Sequence, residues 1–170
     1  MTKSFTSFAV TAFLAAITAA PAQAAEPKLE GTFGDWAAYS RAEGGDKICY
    51  VISEPKKKIP SSVKHGDIFF MVSNWKSGQA QEQPSFMAGY PLKISSPPKA
   101  MVGSARTRMY VSQNEAFIQE TGDERQLVKR MRAGANMRVS AMSTRGTSVS
   151  YDFSLKGVTA ALKKAKSSCG

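Results

Sequence analysis

The sequence predicts a mainly β protein: an antiparallel β-sandwich with one internal helix and a short C-terminal helix. Three observations carry this. Apolar and polar residues alternate with period two through most of residues 33–155, as strands with one buried face require. Turn signals recur at short intervals, among them Gly44-Gly45, Asn114 and Arg145-Gly146. Only two stretches keep a helical period. A small α+β sheet packed on helices is the competing architecture.

The 170-residue chain opens on an address. Lys3 gives a positive start, Phe5 to Ala20 an apolar stretch, and Pro21-Ala22-Gln23-Ala24 an A-x-A cleavage signal. Residues 1–24 therefore read as a signal peptide, and residues 25–170 as a single exported β-sandwich domain, expected in the periplasm. A transmembrane anchor is the rival reading, but the stretch is short and carries Thr6, Ser7, Thr11 and Thr18. No lipobox cysteine follows it. No later segment approaches the ~20 apolar residues that cross a bilayer. The formal charge is +10, of which Lys3 leaves with the leader. Such a cation is drawn to lipopolysaccharide phosphates, anionic lipids and acidic glycans, although charge alone serves solubility equally well.

The elements follow in order. Residues 25–31 read as a polar entry. "FGDWAAYS" (33–40) reads as one strand with Trp36 and Ala38 on one face and Asp35 and Tyr39 on the other. "RAEGGDK" turns, and "ICYVIS" returns as a strand. The proline-punctuated stretch 54–67 reads as a loop. "DIFFMVSNW" is apolar on both faces, the pattern of a strand buried on both sides. "SFMAGYPLKI" is a strand bent by Pro91. "MVGSA", "TRMYVS" and "AFIQE" are short strands, with a hairpin at Asn114. "TGDERQLVKRMRAG" is the internal helix. Leu127, Val128 and Met131 form its stripe, Thr121 or Asp123 its cap, and Gly134 its stop. "NMRVSAM" and "TSVSYDFSL" are strands. Val158, Ala161, Leu162 and Ala165 make the stripe of the last helix.

The two cysteines, Cys49 and Cys169, are expected to form a disulfide in an oxidising compartment. An intermolecular bridge and two free thiols are the alternatives. The spacing excludes a C-x-x-C redox motif. His65 is the sole histidine and sits between Lys64 and Gly66. It reads as a solvated loop residue. Paired with Ser61 or Ser62 it would be the base of a hydrolase, but no G-x-S-x-G elbow frames those serines. P-loop, dinucleotide and calcium motifs are absent. Histidine-pair metal sites are excluded, and Met71, Met87, Met101, Met109, Met137 and Met142 are too scattered for copper. No catalytic, metal or cofactor residue is therefore assigned. Basic residues cluster at Lys56, Lys57 and Lys58 on the loop, at Arg125, Lys129, Arg130 and Arg132 on the internal helix, and at Lys163, Lys164 and Lys166. The first two clusters are the candidate binding surface. No aromatics interleave with them, which argues against single-stranded nucleic acid as a specific partner.

These segments, in order, resemble the invasion-associated locus B family of small exported bacterial proteins. "FGDWAAYS", "KICYVISEPKKK", "DIFFMVS", "AGYPLK" and "VSAMSTRGTSVSYDFSLKGVTAALKKAKSSC" carry the resemblance, with Gly34, Asp35 and Trp36 as a structural signature. It implies an immunoglobulin-like sandwich in the periplasm or outer envelope, and brings no catalytic residues. Many relatives have a cysteine four residues after the tryptophan, where this chain has Ser40. That departure leaves Cys49–Cys169 as the one intrachain bridge. The expected role is non-enzymatic: binding an envelope protein or anionic envelope polymer, in support of envelope integrity or host-cell invasion. A His65 hydrolase and a periplasmic carrier of a small ligand or metal are the alternatives.

Overall fold

A computed structural model describes residues 26–170; the signal peptide read at residues 1–24 lies outside them. In chain order the elements are β1 (Lys28–Phe33), β2 (Trp36–Glu43), β3 (Asp46–Ser53), β4 (Lys57–Ile59), β5 (Phe69–Trp75), β6 (Gln83–Met87), β7 (Lys99–Val102), β8 (Ala105–Arg108), β9 (Tyr110–Ser112), β10 (Glu115–Phe117), α1 (Thr121–Ala133), β11 (Asn136–Met142), β12 (Ser148–Ser154) and α2 (Val158–Cys169). Seven strands pair in the order β1-β2-β3-β5-β6-β10-β9 and five in the order β4-β12-β11-β7-β8, all antiparallel. This is the two-sheet sandwich with two helices that the alternation predicts.

Alternation decides what lies between the sheets. Trp36, Val51, Phe70 and Phe86 face inward from the larger sheet, and Ala100, Val139, Tyr151 and Phe153 from the smaller; all are fully buried. Rings meet across the interior. Phe153 stands edge-on to Phe70 at 5.9 Å, and Tyr151 lies tilted 5.6 Å from Phe86. Such aromatic pairs are worth about 0.5–1.5 kcal/mol beyond their burial. The stripe of α2 packs over β1, β2, β3 and β5, and α1 lies against β6 and β7. Cys169, the last helical residue of α2, is bonded to Cys49 of β3, with Cα atoms 5.7 Å apart.

The structure corrects several local expectations. "FGDWAAYS" is a hairpin tip, not one strand. Gly34 takes φ +59° and, with Asp35, makes a two-residue connection that sets Phe33 opposite Trp36. Its first arm, β1, runs through the supposed polar entry and was disguised by a register shift between Leu29 and Gly31. The 54–67 loop contains β4, whose Lys57, Lys58 and Ile59 pair with Asp152, Tyr151 and Ser150. "MVGSA" spans the turn between β7 and β8. The strand over "SFMAGYPLKI" ends at Met87, and Leu92 then bridges to Ser143 beside the smaller sheet. Helix α1 is preceded by Glu120 with no side-chain cap, so neither Thr121 nor Asp123 serves as one. His65 is buried, only 8% exposed, rather than solvated.

Candidate functional site

The residues of the signature are stitched to the far end of the chain. Asp35 N–H donates to Lys156 O at 3.0 Å, and the Trp36 indole N–H donates to Ser154 O at 2.9 Å. A Cβ on Gly34 would sit 2.5 Å from Lys156 O, and one on Gly157, at φ +91°, would run into Phe33 O. The two turns lie backbone to backbone with no room for a side chain. Gly34, Asp35 and Trp36 therefore form a clasp with the β12–α2 turn, and "GDW" and "SLKG" are two halves of one structural device.

His65 belongs to a buried hydrogen-bonded chain. Its Nε2 lies 2.9 Å from Pro60 O, which can only accept, so the network places the hydrogen on Nε2. Nδ1 then accepts from the Tyr151 hydroxyl at 3.0 Å, and the Tyr151 oxygen accepts from Tyr90 at 2.8 Å. Burial pushes the Tyr151 hydroxyl well above the usual tyrosine range. The exposed Ser61 and Ser62 are not partners of this histidine. Among the described residues no group of three or more His, Cys, Asp or Glu is placed to hold a metal. Met109, Met131 and Met137 fill the core. Met71, Met87, Met101 and Met142 are half-buried and stand on the sheets' outer faces.

The basic residues singled out from sequence scatter. Lys56 Nζ pairs with Asp35 at 2.5 Å and holds that carboxyl below its usual range. Lys58 donates to Gly66 O at 3.0 Å. Arg132 is paired with Glu82, while Arg125 and Lys129 are exposed on α1 and Arg130 is half-buried. Of the lysine run only Lys57 faces outward from the smaller sheet, and there it joins cations that sequence proximity does not reveal. One row across the sheet reads Lys57, Asp152, Arg138, Met101, Arg106, and the next reads Ile59, Ser150, Ser140, Lys99, Arg108. Five cations thus share one face with a single carboxylate among the described residues. Arg138 grips that carboxylate with two bonds, Nε–Oδ1 at 2.5 Å and Nη2–Oδ2 at 2.8 Å, and lowers the Asp152 pKa. Lys57, Lys99, Arg106 and Arg108 are exposed and have no ion-pair partner among the described residues. The available signal was period two: in "ARTR" the arginines alternate with the buried Thr107, and Lys99 and Arg138 likewise neighbour buried residues.

The opposite outer face differs in chemistry. A groove of about 620 Å³ runs along the larger sheet past Ala37, Tyr39, Tyr50, Ile52 and Phe69. Tyr39 and Tyr50 stack in it with centroids 5.6 Å apart. On the cationic face a smaller groove of about 510 Å³ lies among Lys57, Met101, Asn136, Arg138 and Asp152.

These features define a class: a disulfide-closed β-sandwich with a terminal clasp and one cationic sheet face. The family model described as invasion associated locus B (IalB) protein matches residues 36–166. The chain belongs to that family. It is similar in fold to the crystal structure of invasion associated protein B from Bartonella henselae. The TM-score is 0.56 at 14% identity, over 81% of this chain and 94% of that one. No curated protein matches the chain in sequence.

Proposed function

We infer that the protein is a non-catalytic binding protein of the bacterial envelope, and that it engages an anionic envelope component through the outer face of its smaller sheet. The observation that carries this reading is the five-cation face. Edge strands are often charged to block aberrant pairing. That accounts for Lys57 on the edge strand β4 and for Arg106 and Arg108 on the edge strand β8, but not for Lys99 or Arg138 on interior strands. The A-x-A signal and the Cys49–Cys169 bridge support export to an oxidising compartment, the periplasm. The engagement of both His65 ring nitrogens supports a structural rather than a catalytic histidine. A role in host-cell invasion, which the family description suggests, or in envelope integrity is part of the proposal.

Affinity capture from bacterial envelopes under mild crosslinking tests it. Neutralising Lys57, Lys99, Arg106 and Arg108 to glutamine is expected to abolish capture, and neutralising Lys56 and Lys58 to leave it intact. Unchanged capture by the first variant removes this face from the account. Hydrolysis of an ester, peptide or glycan that His65→Ala abolishes would replace the reading with a catalytic one. The tyrosine-lined groove favours a second reading, a carrier of a small ligand, which native mass spectrometry of protein purified from periplasm addresses.

A further inference from the structure

We propose that the cationic face is a membrane-docking surface for the phosphate headgroups of anionic lipids. This rests on the envelope-binding reading above and names its ligand. Lys99 stands directly opposite Arg108 on an antiparallel pair, with Arg106 two residues along the same strand and the same face. Like charges directly opposite on paired strands repel and destabilise the sheet. An anion lying over these three exposed cations relieves that repulsion. Lys57, Arg138 and Arg106 continue the array in one row at intervals of two strands, roughly 10 Å.

The character of the face selects among anions. Two of the four unpaired cations, Arg106 and Arg108, are arginines, whose planar fork matches two phosphate oxygens at once. The face is the open side of a sheet, with an open groove rather than an enclosed cavity, so it suits a planar array of headgroups. Apolar groups stand among the cations. Ile59, 40% exposed on the edge strand β4, shares the face with the half-buried Met101 and Met142. A lipid interface offers such side chains an apolar layer beneath the phosphates, whereas a hydrated polyanion offers them nothing. The two rows hold no aromatic residue, which leaves a nucleic acid no stacking platform.

Sedimentation of the oxidised protein with vesicles tests the assignment, using phosphatidylcholine alone and phosphatidylcholine doped with phosphatidylglycerol. The protein is expected to bind only the doped vesicles. In the Lys99→Gln/Arg106→Gln/Arg108→Gln variant binding falls by about tenfold or more. A control variant, Arg125→Gln/Lys129→Gln/Lys163→Gln, removes the same charge from exposed helical positions and keeps binding. Ile59→Ser weakens vesicle binding further than its unchanged charge accounts for. Equal loss in both triple variants overturns the proposal, because total charge and not this face is then responsible. Absence of wild-type binding to doped vesicles also overturns it. If glycerol phosphate binds in solution while vesicles do not, the ligand is a free phosphate and the membrane assignment fails. Capture of polyglutamate without vesicles refutes the lipid while leaving the broader envelope-binding reading standing. Loss of envelope capture as well ends both. Thermal unfolding of each variant monitors the fold, and relief of repulsion is expected to leave it at least as stable.

Discussion

The carbonyl of Pro60 fixes the direction of a three-residue chain of hydrogen bonds. Because it only accepts, His65 donates from Nε2, Tyr151 donates to Nδ1, and Tyr90 donates to Tyr151. Tyr151→Phe leaves a buried imidazole nitrogen and a half-buried hydroxyl without their partner, and is expected to cost about 1–3 kcal/mol in urea unfolding. The same residue gives the fold an alkaline limit. Its pKa is raised in the fold by burial, so the native state holds the proton more tightly than the unfolded chain. That stability is complete below tyrosine's ordinary value of 10.0 and is lost as pH rises past it. A flatter alkaline stability profile is therefore expected for Tyr151→Phe; an unchanged slope would contradict the assignment. On the outer face, Lys99→Glu turns a repelling cross-strand pair with Arg108 into an attracting one. It is expected to stabilise the protein by about 0.5 kcal/mol while weakening binding to anions. Destabilisation would mean that Lys99 serves the fold. His65 was misread because its sequence neighbours are polar, whereas its partner Tyr151 lies 86 residues away.

At the scale of elements, strands with regular alternation were legible and those broken by special backbone were not. "NMRVSAM" and "TSVSYDFSL" became β11 and β12, the alternating Val149, Tyr151 and Phe153 of the latter turned inward, and both helices lie where their stripes placed them. The β1–β2 hairpin was missed because a two-residue turn at Gly34-Asp35 interrupts an apparently continuous period. β4 was missed because three residues between prolines carry too little pattern, and its partner β12 comes about 90 residues later. Period two could place each cation on an outer face, but not join them, since the members of the cationic face come from four strands. The clasp between the β1–β2 and β12–α2 turns gives the clearest element-level prediction. Gly157→Ala puts a Cβ into Phe33 O at a left-handed φ, and is expected to cost about 2–4 kcal/mol in thermal or urea unfolding. A neutral result would show that the turns are free to separate.

Across the described residues the first three strands are tied to the C-terminal part twice: by the clasp, and by a bridge that closes a loop of 120 residues from β3 to the end of α2. In the chain-entropy account such a loop is worth about 4–5 kcal/mol as an upper value. Cys169→Ser is expected to lower stability by up to that amount, and the oxidised wild type, once denatured, is expected to yield no reactive thiol. The bridge leaves two outer faces of contrasting chemistry on one rigid sandwich, aromatic on the larger sheet and cationic on the smaller. A photoreactive residue placed in living cells reads out directly which face meets the envelope. Ser140 stands in the cationic rows between Ser150 and Lys99, and Tyr39 lies in the groove of the opposite sheet. Adducts to envelope material from position 140 and none from position 39 are the predicted result. Adducts confined to position 39 would contradict the account.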